Sequence, residues 1–246
     1  MNAILLAAGV GRRLAPLTDT TAKCLLPVGG RPLLARMLTA LDREGIREAV
    51  IVVGHCADQI RTLAGERCGR LRIRYVHNAE FAKGSVLSLY AARDHLGEPG
   101  LIMDADVLFP RAILRRLMAA PAPSALVLDR SFEDTGEEVK VYARAGRVIA
   151  LGKKVVPQIY ETVGEGVGFF KCGAEAAPEL LRCLEQVIEE GGGHNEYEDA
   201  LHMLLPRRFV GWADVTGLPW TEVDFLEDLR RAESDVLPRF ERLEGR

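Results

Sequence analysis

Residues 5–34 read LLAAGVGRRLAPLTDTTAKCLLPVGGRPLL, an apolar strand pattern that runs directly into a glycine-rich loop. The small residues from Ala7 to Gly11 let backbone N–H groups approach a phosphate chain or a base closely. Arg13 then supplies a forked cation for phosphate oxygens, and Lys23 supplies a second, compact one. The pattern therefore predicts a phosphate-binding loop at the end of a buried strand.

Spacing excludes two familiar phosphate motifs. The dinucleotide fingerprint G-x-G-x-x-G fails because Leu14 occupies the third glycine position, and the P-loop pattern G-x-x-x-x-G-K-[ST] occurs nowhere. A glycine turn with surface arginines remains the alternative for Gly9 and Gly11 taken alone. The thirty-residue string as a whole favours a functional loop.

The first half of the chain alternates strand and helix patterns, which predicts parallel strands joined by right-handed crossovers. Predicted strands cover residues 2–8, 48–53, 71–76, 101–103, 124–129, 166–171 and 209–215. Residues 138–151 are predicted to form a hairpin that turns at 145–146. Predicted helices cover residues 32–44, 57–64, 86–96, 178–190, 197–205 and a closing helix from 225. We expect an α/β fold, a Rossmann-like, mostly parallel twisted sheet with helices on both faces plus a small antiparallel β lid region.

Composition narrows the class of protein. The net charge of −3 shows no global basic field for nucleic acid, so we expect only a local positive patch and no nucleic-acid partner. The five cysteines are scattered without a CxxC pair, which favours a reducing compartment. The opening MNAILLAAG is too short for a membrane span and lacks a basic leader, so we expect a cytoplasmic protein without membrane contact.

Two acidic motifs suggest a cation site. LIMDADVLF, residues 101–109, places Asp104 at the end of a buried strand, where a hard cation can bridge carboxylate and phosphate. Asp106 would point to the same side if the strand continues. LPWTEVDFLEDL, residues 218–229, adds Asp224. Helix capping is the alternative for these aspartates.

Residues 5–34 resemble the signature of the nucleotidyltransferase superfamily, the MobA-like and sugar-phosphate nucleotidyltransferase-like enzymes that include phosphocholine cytidylyltransferases. The shared pattern is G-x-G-x-R-L-x-P-L-T, then a proline–lysine pair, then L-L-P-V. Gly9, Gly11, Arg13 and Lys23 fit it, whereas Ala22 stands where the family usually has proline. The resemblance implies a nucleotide-diphospho-sugar transferase-like fold in which Asp106 and Asp224 bind Mg²⁺.

Later segments resemble the phosphocholine and 2-aminoethylphosphonate cytidylyltransferases. These segments are HNAEFAKGSVLSLYAAR (77–93), EEVKV (137–141), ALGKKV, GEGVGFF and NEYEDAL, in the family's order. The resemblance implies catalytic roles for Arg13, Lys23, Lys140 and Lys153. It implies nucleotide contacts from Leu6, Ala7, Ala8, Gly9, Gly11, Arg13, Lys23, Ser85, Ser88 and Asp104. An amine-bearing acceptor needs carboxylates or aromatic faces, and the candidates for these contacts are Asp129, Glu165, Tyr197, Glu198 and Trp220, with Lys140 for its phosphate.

The implied function is a Mg²⁺-dependent cytidylyltransferase that moves CMP from CTP to a small amine-bearing phosphate or phosphonate and releases pyrophosphate. Alternatives are a sugar-1-phosphate or inositol-1-phosphate nucleotidyltransferase using CTP, UTP, GTP or dTTP, a catalytically inactive nucleotide-binding module, and a nicotinamide-dependent oxidoreductase. Small molecules are the expected partners, and a homodimer is left open. We expect one domain over 1–246, with a nucleotide-binding core (1–123), a β-rich acceptor and lid region (124–172) and acceptor helices with a closing strand, helix and second metal ligand (173–246).

Overall fold

The computed structural model describes residues 1–97 and 99–245. The strands are β1 Asn2–Ala7, β2 Pro27–Val28, β3 Arg31–Pro32, β4 Glu48–Val53, β5 Arg67–Cys68, β6 Leu71–His77, β7 Gly100–Asp104, β8 Val107–Leu108, β9 Ala125–Asp129, β10 Lys140–Arg144, β11 Arg147–Gly152, β12 Thr162–Cys172, β13 Gly211–Asp214 and β14 Thr221–Glu222. The helices are α1 Leu33–Arg43, α2 Ala57–Ala64, α3 Ser85–Ala91, α4 Arg111–Met118, α5 Ala177–Gly191, α6 Tyr197–Leu204, α7 Leu226–Arg231 and α8 Leu237–Glu244.

Ten strands of the described chain form one sheet. Eight of them follow the order β11-β10-β12-β7-β1-β4-β6-β5, while β9 pairs with β12 and β13 pairs with β9. The strands β7, β1, β4 and β6 run parallel. The direction reverses at β12, which is antiparallel to β7, β9 and β10. The predicted α/β fold is therefore confirmed, and the antiparallel strands extend the main sheet.

The hairpin predicted at residues 145–146 is present between β10 and β11. Ala145 and Gly146 both have positive φ, 49° and 72°, which is the geometry of a tight two-residue hairpin turn. Because β10 also pairs with β12, this hairpin forms one end of the sheet.

Two predicted helices are wrong in extent. The helix expected over 86–96 ends at Ala91 and is followed by a 3₁₀ turn, Arg93–His95. The closing helix expected from residue 225 is interrupted by a π-helical turn, Ala232–Val236, before α8. Pro238 explains the interruption, because it lacks the backbone donor that a regular helix needs there.

Apolar side chains fill both faces of the sheet. On one face α1, α2 and α4 bury Leu34, Ile60 and Leu114 against the strands. On the other face α3, α5 and α6 bury Leu89 and Leu184, among others. These are the two helical layers that the alternating pattern predicts.

A third apolar cluster attaches the closing segment to the glycine loop. Leu14 of the loop and Leu33 of α1 pack with Val223, Val236 and Leu237 near the end of the chain. This packing brings residues 221–237 next to the carboxyl ends of the parallel strands.

Two further features concern the cysteines and the hydropathy of the helices. All five cysteines are free thiols. Over residues 1–97 and 99–245, no helix has both the length and the apolar character needed to cross a membrane.

Phe169 should be a main determinant of stability. Its ring is 1% exposed and packs edge-to-face on Phe109, with centroids 4.8 Å apart. We expect Phe169→Ala to lower the free energy of unfolding by about 3–5 kcal/mol in urea denaturation, because it leaves a cavity in the core. Phe209→Ala is the matched control, since Phe209 is 52% exposed, and a similar loss in both variants would contradict this account.

Candidate active site

The glycine loop follows β1 and folds back on itself. Gly11 has φ of 68°, and a Cβ there would meet Thr18 and Lys23 at 3.1 and 3.2 Å. Thr18 Oγ1 donates a 2.7 Å hydrogen bond to the Gly11 carbonyl. Only glycine combines this backbone conformation with such close packing. Gly9 faces open space, because a Cβ added there would meet nothing within 4 Å.

The segment after β4 holds this loop from the side. The His55 amide donates to the Ala8 carbonyl at 3.0 Å. Its ring Nε2 lies 2.8 Å from the Thr18 carbonyl, and because a carbonyl only accepts, Nε2 carries the proton. Gln59 Nε2 donates to the Thr20 carbonyl at 2.7 Å. The sequence did not predict His55 or Gln59, since no local pattern links them to the loop.

Three carboxylates gather beside the loop. Asp106, Glu222 and Asp224 each offer an oxygen, and these oxygens lie within 4.8 Å of one another. The antiparallel pairing of β8 with β14 brings them together, with Glu222 opposite Val107. The Val223 amide also donates to the Asp106 carbonyl at 3.1 Å. Glu222 was not predicted from the sequence.

Lys23 lies among these carboxylates. Its Nζ is 2.7 Å from Asp106 Oδ2 and 3.9 Å from Glu222 Oε1, and it also contacts Asp224 Oδ1. Burial acts to lower the pKa of Lys23, but the attraction of Asp106, Asp224 and Glu222 outweighs it and raises the pKa above the usual range. Lys23 is therefore a fixed positive charge.

Arg13 reaches the same cluster from the solvent side. Its Nη1 lies 3.0 Å from Asp224 Oδ2, and its Nη2 lies 3.3 Å from Glu137 Oε2. The guanidinium also sits over the Phe225 ring, 5.2 Å from the centroid. Both cations expected from the glycine-loop motif thus converge on Asp224.

The carboxylates have the character of a divalent-cation site. Hard oxygen donors suit Mg²⁺, which is commonly held by one or two carboxylates together with substrate phosphates. Among the described residues, Asp106 Oδ1 is one of two buried side-chain polar atoms without a hydrogen-bond partner. A buried carboxylate oxygen of this kind is available to a cation. The residues present therefore fit the metal.

Helix capping does not account for these aspartates. The N-cap of α4 is Pro110 and the N-cap of α7 is Phe225. The backbone amides of Asp224 and Phe225 donate instead to the Asp228 carboxylate, at 3.0 and 2.8 Å. The side chains of Asp106 and Asp224 remain directed to the cluster with Lys23.

Asp104 has a different environment from Asp106. β7 ends at Asp104, so the continuing strand that would align the two carboxylates is not present. Tyr197 Oη donates to Asp104 Oδ2 at 2.9 Å. Burial, and then the charges of Glu198 and Asp106, raise the pKa of Asp104. Tyr197, which we expected to contact the acceptor, thus bonds to Asp104, which we expected to contact the nucleotide.

Expected acceptor residues meet where β9 lies beside β12. Glu165 is directly opposite Asp129 in the β9–β12 ladder and opposite Lys140 in the β10–β12 ladder. Trp220 Nε1 donates to Asp129 Oδ2 at 2.8 Å. Burial, and then the charges of Glu138 and Asp129, raise the pKa of Glu165 to about 7.

The two candidate lysines have different partners. Lys140 Nζ lies 2.7 Å from Asp134 Oδ2. Lys153 Nζ lies 3.5 Å from Glu137 Oε2, the same carboxylate that pairs with Arg13. Lys153 is thereby connected to the carboxylate cluster through Arg13, whereas Lys140 is held by the loop before β10.

Ser85 and Ser88 tie α3 to its surroundings. Ser85 Oγ bonds to Glu196 and accepts from the Tyr197 amide at 2.9 Å. Ser88 is buried and its Oγ accepts from Asn78 Nδ2 at 3.0 Å. Both serines therefore have protein partners.

Glu198 lies on the first turn of α6, and burial raises its pKa to about 7. His202, four residues later, has a ring nitrogen that accepts from the Leu151 amide at 3.2 Å. That bond gives His202 a structural role beside β11. Leu6 and Ala7 end β1, and Ala8 follows them at the start of the glycine loop.

The chain thus combines a mostly parallel sheet, a glycine loop after its first strand and two cations among three carboxylates. The family model of the MobA-like NTP transferase domain matches residues 3–190. The chain belongs to this family.

Named relatives agree with the family. The chain is 31% identical to the CMP-5'-(3-aminopropyl)phosphonate synthase of Streptomyces rubellomurinus, over 97% of this chain and 39% of that protein. It is 36% identical to the choline-phosphate cytidylyltransferase of Streptococcus pneumoniae, over 80% of this chain and 92% of that protein. The chain spans about half the length of several other curated relatives it matches.

A solved structure shows the same fold. The inositol-1-phosphate CTP transferase from T. maritima superposes with a TM-score of 0.79 at 19% identity, covering 98% of this chain and 96% of that one. At this identity the likeness concerns the fold alone.

Glu165 should make stability depend on pH. Its pKa rises from 4.5 to about 7 on folding, so the folded chain keeps a proton that the unfolded chain loses. The free energy of unfolding therefore falls as pH rises between 4.5 and about 7. We expect urea denaturation to show that the stability of Glu165→Gln relative to the parent chain is greater at pH 8 than at pH 5. An equal difference at both pH values would contradict the raised pKa.

Proposed function

We propose that this protein is a Mg²⁺-dependent cytidylyltransferase, which transfers CMP from CTP to a small amine-bearing phosphate or phosphonate and releases pyrophosphate. The observation that carries the proposal is the convergence of Lys23 and Arg13 with Asp106, Glu222 and Asp224 beside the glycine loop. Family membership supports the reaction type.

In this proposal Asp106, Glu222 and Asp224 would hold the Mg²⁺, which would supply positive charge against the phosphates. Backbone amides of residues 8–11 approach the nucleotide, because Gly9 leaves open space beside the loop and Gly11 permits its tight turn. Lys23 and Arg13 balance the negative charge of the triphosphate.

The transfer itself needs little proton chemistry. An oxygen of the acceptor phosphate or phosphonate is already ionised near neutral pH, so no general base has to remove a proton from it. This oxygen forms a bond to the α-phosphorus as the bond from that phosphorus to the pyrophosphate oxygen breaks. Positioning and charge neutralisation by Arg13, Lys23 and Lys153 then account for most of the catalysis.

The preference for an amine-bearing acceptor rests on the acidic surroundings of β9 and β12. Asp129, Glu138 and Glu165 are close enough for Glu138 and Asp129 to raise the pKa of Glu165. Trp220 adds an aromatic ring beside Asp129. Carboxylates and an aromatic face suit an ammonium group. The names of the aminopropylphosphonate and choline-phosphate relatives support this substrate class and CTP as donor.

An inositol-phosphate or sugar-phosphate acceptor is the second candidate, favoured by the glucose-1-phosphate thymidylyltransferase of Streptomyces griseus, to which the chain is 30% identical over 83% of its length. A neutral polyol would need hydroxyl-binding groups rather than a cluster of carboxylates. A cytoplasmic location and a homodimer stay predictions.

The proposed metal site can be tested by direct binding. We expect Asp224→Asn to weaken Mn²⁺ binding at least tenfold in electron paramagnetic resonance titrations, since it removes one of three ligand carboxylates. Asp235→Asn is the matched control, because Asp235 is exposed and pairs only with Arg239 among the contacts of the described chain. Equal Mn²⁺ affinity in the two variants would contradict the site.

Activity can be tested by pyrophosphate release with Mg²⁺. CTP, UTP, GTP, ATP and dTTP are each crossed with phosphocholine, 2-aminoethylphosphonate, inositol-1-phosphate and glucose-1-phosphate. We expect turnover with CTP and an amine-bearing acceptor. Lys23→Met should reduce kcat/KM by about 100-fold or more, which corresponds to about 3 kcal/mol of lost charge stabilisation.

Lys154→Met is the control for Lys23→Met, because Lys154 is exposed on the loop after β11. Turnover only with a sugar or inositol phosphate would agree with the proposed metal site but contradict the proposal of an amine-bearing acceptor. Absence of turnover with every pair, together with measurable CTP affinity, would favour a nucleotide-binding module.

A further inference from the structure

A second basic site lies at the far edge of the sheet. Arg47, Arg67, Arg70 and Arg72 line a cavity of about 360 Å³ together with Asp42, and we name it the arginine pocket. Its arginines come from the α1–β4 connection, from β5, from the β5–β6 turn and from β6. Two separate stretches of backbone, the α1–β4 connection and the β5–β6 hairpin, therefore contribute exposed arginines to one cavity.

The arginine pocket is remote from the glycine loop. It lies at the amino ends of β4 and β6, whereas the loop follows the carboxyl end of β1. Because β1, β4 and β6 run parallel, the pocket and the loop lie at opposite ends of these strands. Six residues of strand span about 20 Å, so one small ligand cannot occupy both places.

Positive charge in the pocket is poorly balanced. Arg72 lies 3.5 Å from Glu48. Over residues 1–97 and 99–245, the side chains of Arg47, Arg67 and Arg70 form no ion pair within 4.0 Å. This imbalance occurs on a chain whose net charge is −3.

The one lining carboxylate holds the local backbone. Asp42 Oδ1 accepts a hydrogen bond from the Arg70 amide at 2.8 Å. Gly69 packs against the same carboxylate with φ of 59°, so a side chain at this position would collide with it. Asp42 therefore fixes the β5–β6 turn that presents Arg70.

A neighbouring cavity extends the basic surface. It measures about 580 Å³, shares Arg67 and Arg72 with the arginine pocket, and adds Arg61, Arg74 and Tyr75 together with the carboxylate of Glu66. Charged side chains on an edge strand commonly prevent sheet-to-sheet aggregation. That role does not need a concavity, whereas these arginines also line a shared concave surface.

We propose that the arginine pocket binds a short polyphosphate group, either free or as part of a phosphorylated metabolite. Guanidinium forks match phosphate oxygens with two hydrogen bonds each, and four of them suit a ligand with several negative charges. A volume of about 360 Å³ is near the lower end of the range for small-molecule sites. It therefore suits a short phosphate chain.

Isothermal titration calorimetry with tripolyphosphate in EDTA tests the proposal. We expect a binding event in the arginine pocket, which needs no metal, in addition to any binding at the glycine loop. The double variant Arg67→Gln/Arg70→Gln should lose one event or weaken it at least tenfold. Arg182→Gln/Arg239→Gln is the matched control, because it removes the same charge from exposed positions on α5 and α8.

The charge-retaining variant Arg67→Lys/Arg70→Lys should recover part of the lost affinity, and circular dichroism should show all variants folded. Pyrophosphate and CTP, titrated in parallel, distinguish a free polyphosphate from a nucleotide-borne one. Identical titrations for the Arg67→Gln/Arg70→Gln variant and its control would overturn the proposal. Tighter binding of a 20-nucleotide single-stranded RNA than of tripolyphosphate, lost in the same variant, would overturn it in favour of a nucleic-acid surface.

Discussion

The contact of Lys23 with Asp106 and Asp224 is the interaction on which the candidate active site depends. It joins the glycine loop, the segment after β7 and the segment after β14, which lie up to 201 residues apart. Buried charges are costly unless they are paired. Because Lys23 has Asp106, Asp224 and Glu222 around it, the cluster can hold opposite charges close together at the end of the sheet.

Packing of the closing segment makes this contact possible. The pairing of β14 with β8 and the apolar cluster around Val223 place Asp224 opposite the loop. Arg13 and Glu137 then extend the ion pairs toward Lys153 and the antiparallel strands. The expected nucleotide end and the expected acceptor end of the site are thus linked by charged side chains.

Local patterns were sufficient where structure follows from neighbouring residues. β4 and α2 have the predicted bounds, and the turn at Ala145 and Gly146 is where the sequence placed it. One error falls where a single residue alters a regular pattern, as Pro238 does in the closing helix. Asp104 was expected beside Asp106, but the strand ends between them, and only the surrounding fold decides where a strand stops.

The glycine loop, the parallel strands and the aspartates of two short motifs could all be predicted from the sequence, because strand periodicity, glycine spacing and motif residues are local properties. Glu222, His55 and the arginine pocket could not. Each depends on which distant segments meet: β14 against β8, the β4–α2 connection against the glycine loop, and the β5–β6 turn against α1. Such meetings are set by the packing of the whole sheet, so tertiary structure alone places these residues.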